Sequence, residues 1–263
     1  MIALSAIGGI VQRDLRRAAR QPSRLIGGLA RPFVWLLLVA SGYNAIANPG
    51  TGGSYQQFVF PGVIVMACLF GSALTAVSTV YDREFWMLRL MLASPAGPAV
   101  VLAGRALSAA AVGLLQGLVV LAAAPFVMRI TWGQAGAATM AVLLASCVSA
   151  LLGLLVAARL RSVENFAGII NVLLFPMLFI SGALYPASGL PPVLRWIARV
   201  NPVTHMVELV RAALGQPTEL SVTGNLLALA AFSVVAFLLA SLLFDPEQRF
   251  VGRPPSARGA SGR

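Results

Sequence analysis

Six long apolar runs, almost free of charge, constrain this chain more than any other feature. They cover residues 25–47, 58–81, 106–128, 136–158, 166–185 and 220–244. A helix crossing a bilayer needs about 20 apolar residues, so each run reads as one spanning helix. Arg31 is the single ionisable side chain inside them. It is expected close to the interface, where a long basic side chain can snorkel to water. Hydrophobic residues make up 59% of the chain and charged residues 10%, against about 25% charged in a soluble domain. The expected fold is therefore an all-α polytopic membrane protein, with a six-span domain over residues 1–251. The tail, residues 252–263, is built of Gly, Ser, Pro, Ala and Arg and reads as disordered.

Arginine sets the topology. All nineteen basic residues are Arg, and there is no Lys. Six arginines (13, 16, 17, 20, 24, 31) belong to the amino-terminal segment, three (83, 89, 105) to the connection after the second span, two (159, 161) to that after the fourth, and four (249, 253, 258, 263) to the tail. Only Arg129, Arg195, Arg199 and Arg211 fall on the other side. The excess marks the cytoplasmic face and puts both termini there, in the cell (inner) membrane. The net charge of +11 is thereby explained without a nucleic-acid partner. A phosphate-binding P-loop needs its Lys, so any nucleotide-driven work must come from another polypeptide.

The amino terminus winds into an amphipathic helix. Ile7, Val11, Leu15 and Ala18 share one face, and Arg13, Arg16, Arg17, Arg20 and Arg24 the other, as in a helix lying against anionic lipid. A signal peptide with a cleavage-like site at 45–47 is the rival, but its charged region would be far too long. Gly113-x-x-x-Gly117 and the series Ala145, Ser149, Gly153, Ala157 let helix backbones approach closely, either within one bundle or across a dimer seam. Cys68 and Cys147 read as small core residues. His205 and Glu208 are too few for a metal site, no catalytic motif is present, and the chain is not expected to be an enzyme. The span interiors hold no carboxylate of the kind that couples ions in a secondary carrier. Gln116 serves a helix–helix hydrogen bond or a substrate path.

Two stretches need separate explanation. Pro176, Gly182, Pro186, Gly189, Pro191 and Pro192 are expected to break the fifth apolar run. Irregular backbone is not tolerated against lipid, so this part must be shielded or rise to the interface. Residues 193–200, with Trp196, read as a short external interfacial helix. The element is either a structured loop or an outer gate. The second stretch is YDREFWMLRLMLASP, residues 81–95. Its apolar residues spread nearly all round a helix, which calls for burial, partly in its own bundle and partly in another protein. A solvated turn leading into the third span is the alternative. Pro95, Gly97 and Pro98 separate it from that span.

In this order and at these positions, the motifs resemble the type-2 ABC exporter permeases over nearly the whole chain. The resemblance rests on the amphipathic start, Arg83-Glu84, Ala93-Ser94-Pro95, Ser181-Gly182, Tyr185-Pro186, Leu190-Pro191, Asn201-Pro202 and Arg211. It departs at Phe85-Trp86, where the family often has a small or hydroxylated residue and then Gly. The resemblance implies a permease subunit that binds no cofactor itself. It pairs with a second permease chain, identical or not, and with P-loop ATPase subunits carrying ATP and Mg. It also implies an ATPase-coupling segment at Asp82, Arg83, Glu84, Phe85, Leu88, Arg89, Leu92 and Pro95, working as a cytoplasmic coupling helix. The outer element implied is Ser181, Gly182, Pro186, Pro191, Asn201, Pro202 and Arg211, in an external re-entrant segment. Hydrophobic drugs and lipid-linked or free glycans are the family's cargo. A secondary carrier or channel without an ATPase is the alternative.

Overall fold

The computed structural model describes residues 2–39, 41–42, 55–84, 97–160 and 162–243. The expected coupling segment from Phe85 to Pro95 and the tail 252–263 lie outside these residues. Every regular element among the described residues is helical. We label them α1 (Ile2–Ala19), α2 (Pro22–Val34), α3 (Tyr55–Glu84), α4 (Gly97–Leu121), α5 (Ala124–Val127), α6 (Trp132–Arg159), α7 (Val163–Ile180), α8 (Pro192–Val200), α9 (Pro202–Ala213) and α10 (Val222–Leu243). A π-helical segment, Trp35–Val39, continues α2.

Five helices among the described residues are long and apolar enough to cross a membrane: α3, α4 with α5, α6, α7 and α10. They match the second to sixth expected spans. The first is represented by a shorter apolar helix, Ile26–Val39. The third begins earlier than expected, at Gly97, so Arg105 lies inside a helix of the bundle and not at its mouth. Pro176 does not break the fifth. It sits within α7, which runs unbroken to Ile180, because neighbouring groups in a bundle re-satisfy the backbone that Pro releases. Pro192 and Pro202 open helices, where a missing N–H costs nothing: Pro192 starts α8 and Pro202 starts α9.

Helix α3 is the axis of the molecule. Of its apolar window 88% is buried, against 17% for α10. It packs on α4 and α6, and also meets α2, α7 and α9. Lipid tails are as apolar as Leu, so close approach and not hydrophobicity holds such helices together. The small residues supply it. A Cβ on Gly113 would collide with Ser72 and stand 2.9 Å from the Cys68 carbonyl oxygen. On Gly117 it would stand 2.5 Å from the Cys68 sulfur and 2.7 Å from Val142. On Gly153 it would stand 3.0 Å from Ala76 of α3. Ser149 is buried and donates to the Ala145 carbonyl at 2.7 Å within α6. These four positions therefore pack within one bundle.

We expect Gly113→Leu to lower stability by about 1–3 kcal/mol, as overpacking does, or to prevent assembly. Gly136→Leu, in open space, should have little effect. Thermal unfolding of the two purified variants in detergent checks both.

Candidate functional site

At the arginine-rich end of the bundle, three helices are tied by buried charge. Arg105 of α4 is 1% exposed. Its Nη1 donates to Asp14 of α1 at 3.1 Å and to Ser78 of α3 at 3.2 Å. Its Nη2 donates to Asp82 of α3. Arg13 closes the ring from α1, donating to Asp14 at 3.0 Å and to Asp82 at 3.1 Å. Arg17 reaches Asp82 at 3.7 Å. Partial burial opposes the charge on Arg13, yet the field of Asp14 and Asp82, with their hydrogen bonds, raises its pKa. Asp14 and Asp82 are themselves buried, and a buried carboxylate is tolerated only when paired and hydrogen-bonded. Asp82 thus pairs inside this chain.

This clamp explains how α1 lies. Its buried face is centred on Ile10 and Asp14, while Leu15 is exposed. The face is rotated from the expected Ile7, Val11, Leu15, Ala18 stripe because Asp14 must meet Arg105. Close packing agrees: a Cβ on Gly104 of α4 would stand 3.0 Å from Ile10. Of the arginines expected to face lipid, Arg13 and Arg17 reach the acids, Arg17 while still exposed, and Arg16 and Arg20 are exposed without such a contact. Arg105 itself escaped sequence reasoning. The legible signal was Asp14, an acid on the apolar side of an amphipathic helix.

The opposite end of the bundle carries a second network. Helix α7 stops at Ser181, whose Oγ donates back to the Leu178 carbonyl at 2.7 Å. Gly182 follows with φ +81°, a left-handed conformation that a side chain resists. Its carbonyl accepts from Arg211 at 3.0 Å. Arg211 and Glu208 of α9 pair at 2.6 Å, both buried. The second Glu208 oxygen accepts the backbone N–H groups of Glu219 at 2.7 Å and Leu220 at 3.1 Å. The Arg211 guanidinium lies 4.6 Å from the Phe58 ring centre. Asn201 caps α9 by accepting from Val203 at 3.0 Å, and donates to the Met177 carbonyl at 2.6 Å. Tyr55 of α3 donates to the Leu184 carbonyl at 2.7 Å. A cavity of about 380 Å³ lies within this end, lined by Gly182, Arg195, Arg199, Thr204, Glu208 and Arg211 among others.

Of the expected outer element, Ser181, Gly182, Asn201, Pro202 and Arg211 therefore meet around the ends of α7 and α9. Pro186 and Pro191 instead precede the short turn Ala187–Gly189 and α8. Helix α8 is largely exposed, including Trp196. His205 touches the Arg199 carbonyl oxygen at 2.9 Å and Asn225 at 2.8 Å. The role of Asn225 was also missed.

Arg31 departs from expectation. Its guanidinium stands 4.1 Å from the ring centre of Phe70 and 5.3 Å from that of Phe175. Phe70 is fifteen residues after Tyr55 and fourteen before Glu84, the middle of α3. The charge is therefore about 21 Å of helix from either end, and not at an interface. An Arg at mid-span costs roughly 2.5–3.5 kcal/mol on insertion scales. An exposed cation–π contact returns about 0.5–1 kcal/mol of this.

The family model described as "ABC-2 type transporter" matches residues 5–214. The chain belongs to the ABC-2 type transporter family. A transport permease, ycf38, of the alga Porphyra purpurea is 28% identical over 213 residues, covering 79% of this chain and 73% of its own length. Nodulation protein J of Sinorhizobium fredii is 26% identical over 219 residues, 82% of this chain and 83% of that protein. Nodulation protein J of Rhizobium leguminosarum bv. trifolii is 28% identical over 237 residues, 83% and 84%. This ABC-2 permease is thus a multi-pass membrane protein of a transport family, and both polar ends fall within the matched region apart from Glu219, Leu220 and Asn225.

Removing one partner of a buried pair costs about 3–5 kcal/mol, because the other charge stays buried alone. Arg105→Gln should show that loss as a large drop in the unfolding temperature in detergent, and should free α1 to proteolysis. Arg16→Gln should do neither. Replacing Asp14, Asp82 and Arg105 together by Leu should restore most of the stability.

Proposed function

We propose that this chain is the membrane-spanning permease subunit of an ATP-driven exporter. In this reading it works with a second permease chain and with a separate P-loop ATPase that binds ATP and Mg. The arginine-rich end, with both termini, faces the cytoplasm in a six-span arrangement, and the Gly182–Arg211 end faces outward. The observation that carries the reading is the position of the clamp. Asp82 lies near the end of α3 and Arg105 in the first half of α4, so the residues joining α3 to α4 are bracketed by one ion-paired unit. A push on that connection by an ATPase would reach α1, α3 and α4 together. A carrier without an ATPase has no evident use for such a device, and its span interiors would need a coupling carboxylate that this sequence lacks.

Co-purification tests it. The chain should bring down a P-loop ATPase, and Glu84→Arg should weaken that complex. Transport by the chain alone in liposomes would defeat the proposal in favour of a carrier. Reporter fusions should put Gly50 and Arg263 on opposite sides of the membrane.

The outer network supports a gate between α7 and α9. Ser188 donates to Glu219 at 2.8 Å, so cysteines at these two positions can be joined by a short bismaleimide. Joining them should block transport and leave ATPase assembly intact. Undiminished transport would reduce residues 186–202 to a structured loop.

A further inference from the structure

The clamp and the outer network each neutralise their arginines with carboxylates. Arg31 does not follow that pattern. Among the described residues no carboxylate lies within ion-pair distance of it. Asp14 and Asp82 serve Arg105, Glu208 serves Arg211, Glu219 binds Ser188, and Glu164 is exposed at the start of α7. Arg31 is nevertheless exposed on the bundle surface, level with the middle of α3. Its face is aromatic. Phe70 and Phe175 lie 5.7 Å apart, and one turn along from Arg31 the Trp35 ring meets Phe179 edge-on at 6.0 Å.

A guanidinium resting on aromatic rings keeps its in-plane N–H donors free for a bidentate acceptor. Among the described residues none supplies that acceptor. A second identical copy brings no carboxylate in its apolar runs, and brings another Arg31 instead. We propose that Arg31 is the recognition site for the anionic headgroup of the transported molecule. The ligand class is an amphiphile with a phosphate, sulfate or carboxylate group on an apolar body. The guanidinium takes the anion, and the Trp35, Phe175 and Phe179 surface takes the apolar part. The assignment rests on the exporter reading for the word "transported", but the binding itself does not.

The test uses the full chain in phosphatidylcholine nanodiscs and radiolabelled dodecyl phosphate as probe. Binding should saturate. Dodecyl sulfate should compete, and neither dodecyl maltoside nor inorganic phosphate should. Arg31→Gln should weaken binding by about tenfold or more, the worth of a charge-assisted pair. Arg31→Lys should recover part of the loss, because charge returns without the planar fork. Removing a charge from mid-span favours insertion, and the unfolding temperature of Arg31→Gln, no lower than that of the parent chain, separates lost binding from lost folding. Equal binding by Arg31→Gln would overturn the proposal. So would loss of the probe site when phosphatidylglycerol is added to the discs, which marks a site for bilayer lipid. Efficient bismaleimide crosslinking of Arg31→Cys to a cysteine put in place of an acidic residue of a paired chain would overturn it as well. If the probe binds but no ATPase co-purifies, the exporter reading fails alone. If an ATPase drives transport of dodecyl phosphate equally well through Arg31→Gln, only the Arg31 assignment fails.

Discussion

Close approach of α3 to α4 and α6 is the constraint on which the rest of the molecule depends. In a bilayer there is no hydrophobic force to gather apolar helices, since lipid satisfies them as well as protein does. What remains is contact between backbones, and contact requires small residues at the crossing points. Gly113 and Gly117 of α4 lie against Cys68 and Ser72 of α3, and Gly153 of α6 lies against Ala76. The three helices thereby become one body, and α3 disappears from the surface over most of its length.

A rigid centre of this kind permits polar groups at its two ends. Arg105 is held by acids from two other helices, which is possible only because α3 and α4 are fixed in register and α1 docks across them. At the other end, the turn after α7 presses on α3. A Cβ on Gly62 would stand 2.6 Å from Ala183, so only Gly allows the Gly182 carbonyl to sit where Arg211 reaches it. Both networks bridge elements that are distant in sequence. Asp14 and Arg105 are 91 residues apart, and Gly182 and Arg211 are 29 apart. Motion of one element at either end is therefore felt by its partners through charge and not through lipid-soft contact.

The spanning helices were legible because length and apolarity alone define them, whatever their neighbours. The small-residue seams were legible for the same reason, although only the structure distinguishes a bundle seam from a dimer seam. Three features were not. Pro176 reads as a break in any soluble helix, but α7 passes through it. Helix α9, PVTHMVELVRAA, is too polar and too short to register as membrane-embedded, yet residues 202–211 are buried throughout because Glu208 and Arg211 satisfy each other. Arg105 looked like one more cytoplasmic positive charge. Its acidic partners come from residues 14 and 82, a juxtaposition that no local pattern announces.

Arg105 and Arg31 show two answers to the same problem. Both place a permanent positive charge where water is scarce. Arg105 is sealed, 1% exposed, with a carboxylate on each arm, and a charge so enclosed is out of a ligand's reach. Arg31 is exposed and rests on ring faces, which stabilise a cation without consuming its in-plane donors. A purely structural role would favour the first arrangement, since a mid-span Arg could be replaced by Leu at no cost to packing. Keeping the charge and leaving its donors open is the arrangement expected of a group whose counter-ion arrives and departs.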